Sequence, residues 1–169
     1  CRARAEHPRL VGLARGGAAL VETSLKARLS ESRAIAALPQ LSSMEPRTQG
    51  EALPIVFQEF STWTELNTFD LDGQRLASVP PSASWSPSSY RSFQTASRAG
   101  QQDWEITRWT AADRPALLIT TPIRNERREL TGVLSSVVDL QNLAVSVQAV
   151  KVSRGGRVFV LDQEGTLII

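Results

Sequence analysis

A turn pattern that occurs twice constrains this chain more than any other feature. Asp70-Leu71-Asp72-Gly73-Gln74-Arg75-Leu76 lies near the middle, and Asp162-Gln163-Glu164-Gly165-Thr166-Leu167-Ile168 lies at the C-terminal end. Each copy separates two strand-like runs. Glycine can adopt the positive φ of a tight hairpin, and the leading Asp can bond the turn backbone. The repeat therefore predicts two similar mixed α/β modules in tandem, with the second ending early at Ile169. That organisation suits a sensor fragment better than a complete enzyme.

The strands and helices around these turns can be placed by periodicity. Leu10, Ala14, Ala18, Val21, Leu25 and Leu29 recur at helical spacing and predict a long helix over 9–37, with Glu22 and Lys26 as an i,i+4 pair. Its narrow apolar stripe fits packing on its own domain or pairing with a second chain. Residues 40–50 read as a loop and 51–61 as a short helix with Pro54 in its first turn. Residues 64–69 and 75–79 flank the first turn as a hairpin, and the Pro- and Ser-rich stretch 80–89 is an irregular loop in which Trp85 packs. Tyr90 to Ala99 reads as a helix capped by Gly100. Three further strands are expected at 103–110, with Trp104, Ile106 and Arg108 on one face, at 116–123, and at 130–138. A helix over 139–150, a linker at Arg154-Gly155-Gly156 and a strand at 158–161 complete the reading. The fold class is α+β: a stalk helix, then a five-stranded antiparallel sheet of PAS-like type, then the first hairpin of a second module. The expected domains are 1–62, 63–152 and 153–169.

Composition excludes several function classes. The chain has 169 residues, 41% of them apolar and 21% charged, which is globular. Its net charge is only +2 and its arginines are scattered, so there is no footprint for nucleic acid. No stretch approaches the roughly 20 apolar residues of a membrane span, and no signal peptide is visible. A single cysteine excludes an internal disulfide, and Cys1 reads as a fragment end in preference to a lipidated residue. The sole histidine, His7, sits at the start of the stalk, which leaves Ser or Cys nucleophiles without a base and a metal without imidazole or thiolate ligands. Asp70 and Asp72 lack the further ligands of a calcium loop. A small hydrolase would rest on serine abundance alone. No cofactor motif is present: Arg154-Gly155-Gly156 lacks the length and the following Lys of a phosphate loop.

A resemblance sharpens these expectations. From about Phe60 to Ile169 the chain resembles the double Cache (tandem PAS-like) extracytoplasmic sensor domains of bacterial transmembrane receptors. The residues that carry it are Phe69-Asp70-Leu71-Asp72-Gly73, Tyr90-Arg91-Ser92-Phe93-Gln94-Thr95-Ala96, Pro115 to Ile123, Thr131-Gly132-Val133-Leu134, Val138-Asp139-Leu140, and Gly156 to Gly165, in the family's order. The resemblance implies a stalk at 9–37 rising from a membrane span before Cys1, a membrane-distal ligand-binding module and a truncated membrane-proximal one. It also implies a periplasmic location, small-molecule ligands such as amino acids, amines or carboxylates, and a histidine kinase, cyclase or chemoreceptor output outside this sequence. The chain departs from the family's amino-acid pattern: Ser92 stands where the first aromatic would be, and Tyr90 where the carboxylate-binding Arg would be. Asp139 matches the acidic position after the last strand.

The candidate ligand-binding residues are Tyr90, Arg91, Trp104, Arg108, Trp109, Thr120 and Asp139. Aromatics supply flat walls and arginines a fork for an anion. Taken singly, each also has an ordinary structural role open to it, such as a helix cap at Asp139. The expected function is non-catalytic sensing, with homodimerisation through the stalk. The alternative is a structural or dimerisation spacer, or a protein-partner-binding module, with a filled pocket.

Overall fold

The computed structural model describes residues 2–81, 86–109 and 114–141. Of the helix predicted over 139–150, Asp139 instead ends a strand and 140–141 are helical, and 142–150, the linker, the second hairpin and Trp85 lie outside the described residues. Helix α1 spans Arg2–Ala36 and begins earlier than the apolar stripe indicates. The chain divides into two compact units, one holding Cys1–Arg28 with Leu140–Ile169 and the other Leu29–Asp139. In the first, Lys26 Nζ meets Glu22 Oε1 at 2.6 Å, the pair expected from their spacing.

The second unit is a sheet of β1 (Glu65–Asp70), β2 (Arg75–Val79), β3 (Asp103–Trp109), β4 (Arg114–Arg124) and β5 (Leu130–Asp139). All neighbours are antiparallel, in the order β2-β1-β5-β4-β3. The first hairpin forms as its turn chemistry requires. Asp70 Oδ1 accepts the N–H groups of Asp72 and Gln74 at 3.0 and 2.8 Å, and Gly73 sits at φ +85°. Asn125 plays the same part between β4 and β5, accepting from Arg127 and Glu129 at 2.9 and 3.0 Å.

The predicted loop at 40–50 is instead largely helical. Helix α2 covers Pro39–Ser42 and α3 covers Pro46–Glu59. Pro46 stands at a helix start, where its missing N–H costs nothing, and the Glu45 carboxylate accepts the Thr48 backbone N–H at 2.8 Å. The same carboxylate also accepts the Thr48 hydroxyl, and these bonds, the hydroxyl first, hold Glu45 below the ordinary carboxylate pKa. Pro54 consequently lies inside α3, not in its first turn. The helix predicted at 90–99 starts after Tyr90 as α4 (Arg91–Gln94), widens to a π-type turn over Thr95–Ala99, and stops at Gly100 with φ +62°.

Paired residues on antiparallel neighbours share a sheet face, and alternation assigns the rest. One face carries Leu66, Ile119 and Leu134, all buried, and receives the end of α1 together with α3. Ser32 of α1 bonds Thr121 Oγ1 at 2.7 Å and Ser136 Oγ at 3.1 Å, and Thr68 donates to Gln49 Oε1 of α3 at 2.6 Å. The other face carries Phe69, Leu118, Val133 and Val137 and is covered by the crossover from β2 to β3. Phe69 and Phe93 meet edge to face with centroids 5.9 Å apart, and Ala96 and Val133 complete their cluster.

Gly132 lets β5 pass close to β1 and Met44. A Cβ there would stand 2.6 Å from the Phe69 carbonyl oxygen and 2.3 Å from Met44 Cε. The Met tip can swing aside, but the strand carbonyl cannot. Gly132→Ala is therefore expected to lose about 1–3 kcal/mol of stability in urea unfolding; an unchanged midpoint would show that β5 shifts freely.

Candidate functional site

The crossover face of the sheet carries more polar atoms than a sheet core ordinarily holds. One row across the strands is Asp103, Thr120, Ser135 and Asn67. The adjoining row is Glu105, Leu118, Val137 and Glu65. Thr120, Ser135, Asn67 and Glu65 are all at most 1% exposed, a burial that polar side chains reach only when something compensates them.

Part of that compensation is visible. Thr120 donates to Ser92 Oγ at 3.0 Å, and Ser92 donates both its hydroxyl and its backbone N–H to Glu105 Oε1 at 2.7 and 2.8 Å. This relay pins the start of α4 to β3 and β4. Asn67 Nδ2 donates to Glu65 Oε1 at 2.7 Å. Two oxygens on this face have no hydrogen-bond partner among the described residues: Asn67 Oδ1 and Ser135 Oγ. They belong to directly paired residues, on strands about 4.8 Å apart. Each unsatisfied buried oxygen costs about 1–3 kcal/mol.

Tyr90 closes the row from the crossover side. Half-buried, it packs against both apolar clusters, Phe69–Phe93–Ala96–Val133 and Ala116–Leu118–Val137. In the strand register the polar row lies between these clusters, so Tyr90 straddles it.

The sequence-predicted residues divide by position. Tyr90 and Thr120 converge on the polar row. Asp139 lies on the same face at the end of β5, where it is buried against Arg114 Nη2 at 3.1 Å, and its backbone N–H donates to Thr64 Oγ1 at 2.9 Å. Arg91 reaches along the surface to Asp103 Oδ2 at 2.7 Å and the Trp104 carbonyl at 2.9 Å, an exposed clamp on β3. Trp104 and Arg108 pair with Ile119 and Pro115, so alternation sets them on the opposite face, away from Tyr90 and Thr120. Trp109 is described by its backbone alone, which pairs with Arg114.

Glu65, Asn67, Ser135 and Glu105 were not singled out by sequence reasoning, and Ser92 entered it only as a departure from the family's amino-acid pattern. A signal existed: Glu65 and Asn67 alternate with Leu66 inside one strand, and Ser135-Ser136 interrupts an otherwise apolar one. Polar residues at inward positions of central strands need partners, and that need marks them.

Neither a protein-family model nor a curated protein matches the chain. Solved structures do. The ligand-binding domain of the Pseudomonas fluorescens chemoreceptor CtaA in complex with L-serine aligns at TM-score 0.79 and 18% identity, over 100% of this chain and 73% of that one. The ligand-binding domain of the Pseudomonas aeruginosa PAO1 amino acid chemoreceptor PctB in complex with L-Arg aligns at 0.71 and 19%, over 94% of this chain and 63% of that one. The corresponding PctC domain in complex with GABA aligns at 0.69 and 14%, over 95% and 74%. The chain thus spans less than two thirds of the PctB domain. At these identities the likeness is one of fold, and the fold is that of Cache-type ligand-binding domains.

Proposed function

We propose that this chain is the small-molecule-sensing part of an extracytoplasmic domain in a membrane signalling receptor, acting by binding and not by catalysis. The reading starts from the fold shared with chemoreceptor ligand-binding domains that were solved with amino acids and GABA bound. The observation that carries it is the pair of buried oxygens, Asn67 Oδ1 and Ser135 Oγ, without a partner among the described residues, in the row between the two apolar clusters on which Tyr90 packs. A face built only for stability would not retain them, because apolar residues of like size would be less costly there.

In this reading, ligand lies between the sheet and the Tyr90–Ala96 segment of the crossover. Ser135 and Thr120 face the ligand, while their chain neighbours Ser136 and Thr121 bond Ser32 of α1 on the reverse face. A ligand that prefers one strand position therefore also favours one seating of the α1 end. Helix α1, paired with its copy in a homodimer, would carry that displacement toward the membrane and an output domain of the kinase, cyclase or chemoreceptor kind.

A specific observation also favours a second reading, a spacer or partner-binding module. Phe69, Phe93 and Tyr90 already fill much of the space between sheet and crossover. A thermal-shift and calorimetric screen of the full chain against amino acids, amines, carboxylates, nucleobases and sugars separates the two. Sensing predicts a saturable shift of about 2.7 kcal/mol at a hundred times the dissociation constant, lost in Tyr90→Ala and kept in Arg108→Ala. A flat response from the folded protein would favour the spacer.

A further inference from the structure

The one methionine of the chain, Met44, stands where glycine is the usual residue. It lies just past the C-terminal cap of α2 in the left-handed region, at φ 56°, and its N–H bonds the Leu41 carbonyl at 3.2 Å. Glycine or asparagine commonly closes a helix in this way, because a larger side chain crowds the backbone there. What methionine adds at this position is the thioether at its tip.

That tip is seated between two elements on the reverse face of the sheet. On one side is Gly132 of β5, where a Cβ would stand 2.3 Å from Met44 Cε and 2.8 Å from Sδ, so the thioether occupies the place of the missing side chain. On the other side is Gln49 of α3, whose Nε2 donates to Met44 Sδ at 3.6 Å. Gln49 is fully buried, and its amide is committed three ways. Nε2 also donates to the Leu41 carbonyl at 2.7 Å, and Oε1 accepts the Thr68 hydroxyl of β1 at 2.6 Å. One amide thus joins the end of α2, the sulfur of Met44 and strand β1. Met44 itself is half-buried, which leaves part of its surface open to solvent. Of the three bonds of Gln49, the one to sulfur is the weak one, since a thioether is a poor acceptor. A sulfoxide is polar and chiral, and its oxygen accepts strongly.

We propose that Met44 is a reversible oxidation site, converted to the sulfoxide by oxidants of the peroxide class, with Gln49 Nε2 donating to the new oxygen. The sulfur lone pair attacks one oxygen of hydrogen peroxide, the O–O bond breaks and an S–O bond forms. Sulfur gives up two electrons and the peroxide gains them; the second oxygen leaves as hydroxide and takes the proton of the first to become water. The larger polar tip no longer fits against the Gly132 backbone, and Gln49 is drawn away from Leu41. The corner between α2 and α3 therefore loosens from β1 and β5. Alternation sets Gly132 on the same face of β5 as Ser136, which bonds Ser32 of α1, so the change falls on the strand that seats the end of that helix. The switch needs no ligand and stands apart from the sensing reading.

The test treats the full chain and Met44→Leu with hydrogen peroxide, follows the tryptic peptide 34–47 by mass spectrometry, and measures thermal unfolding. Expected in the wild type are one added oxygen on Met44, a melting temperature lower by about 2–8 °C, and recovery of both by methionine sulfoxide reductases. Met44→Leu conserves apolar volume and should melt near the untreated wild type, with no fall on treatment. Because Gly132 and Gln49 flank the sulfur differently, the folded chain should form one sulfoxide epimer in excess, so that one of the two epimer-specific reductases reverses most of it in the digested peptide. The urea-unfolded chain should give both epimers. Met44 left untouched by peroxide that oxidises it in the unfolded chain would overturn the site. A fall of equal size in Met44→Leu would place the damage at other residues and overturn the switch. Sulfoxide formed with no change in melting temperature, or with equal epimers from the folded chain, would overturn its seating on Gln49 and Gly132.

Discussion

Phe69→Ala should lower the unfolding free energy by about 3–5 kcal/mol, the largest effect expected of any single truncation in the sheet unit. Phe69 is 1% exposed, meets Phe93 edge to face, and lies beside Val133 on the neighbouring strand. Its loss removes the apolar contact of α4 with β1, leaving the Ser92 hydrogen bonds, so the cost combines lost transfer energy with a cavity between sheet and crossover. Urea unfolding followed by tryptophan fluorescence would measure it. The damage should also reach binding, since Phe69 belongs to one of the two clusters on which Tyr90 rests. A loss under 1 kcal/mol would mean that the crossover collapses onto the sheet without it.

Ser32→Val should cost about 1–3 kcal/mol for a different reason. Ser32 is fully buried and joins α1 to β4 and β5 through Thr121 and Ser136. Thr121 keeps its bond from Gln102 Nε2 at 2.9 Å, so the hydroxyl stranded by the substitution is that of Ser136. Adding Ser136→Ala should recover part of the loss, because the orphan is then removed too, and a double-mutant cycle should give a coupling of about 0.5–3 kcal/mol. Strict additivity would show that the two residues act independently. The same cycle run on ligand affinity tests the proposed link between binding face and helix face, which are one residue apart along each strand.

Much of this architecture was legible in residue order. The Asp70–Gly73 turn specified its hairpin because the bonding side chain and the positive-φ residue are both local. The strands at 103–109, 114–124 and 130–139 were visible for a similar reason, as apolar or alternating runs bounded by turn residues. Helix α3 was foreseen in part, but its start was missed. Glu45 is not among the commonest caps, and Gly50 looked like a breaker although it sits in a helix with nothing within 4 Å of where its Cβ would be.

The site divides along the same line. Tyr90 and Thr120 were named from residue type and family position, and both stand at the polar row. Trp104 and Arg108 were placed correctly together on one face of β3, but a single strand cannot say which of its faces meets the crossover. That choice was made by the pairing of β3 with β4 and by the docking of α1 and α3 on the reverse side. Asn67 and Ser135 became significant only when the sheet brought them into register, because they lie far apart in the chain and neither is unusual alone. The sequence by itself determined the turns, the strand periodicity and the alternation of faces, all of which depend on near neighbours. Tertiary structure alone decided which polar atoms were sealed from water without a partner, because satisfaction of a hydrogen bond is settled by what other segments bring to it.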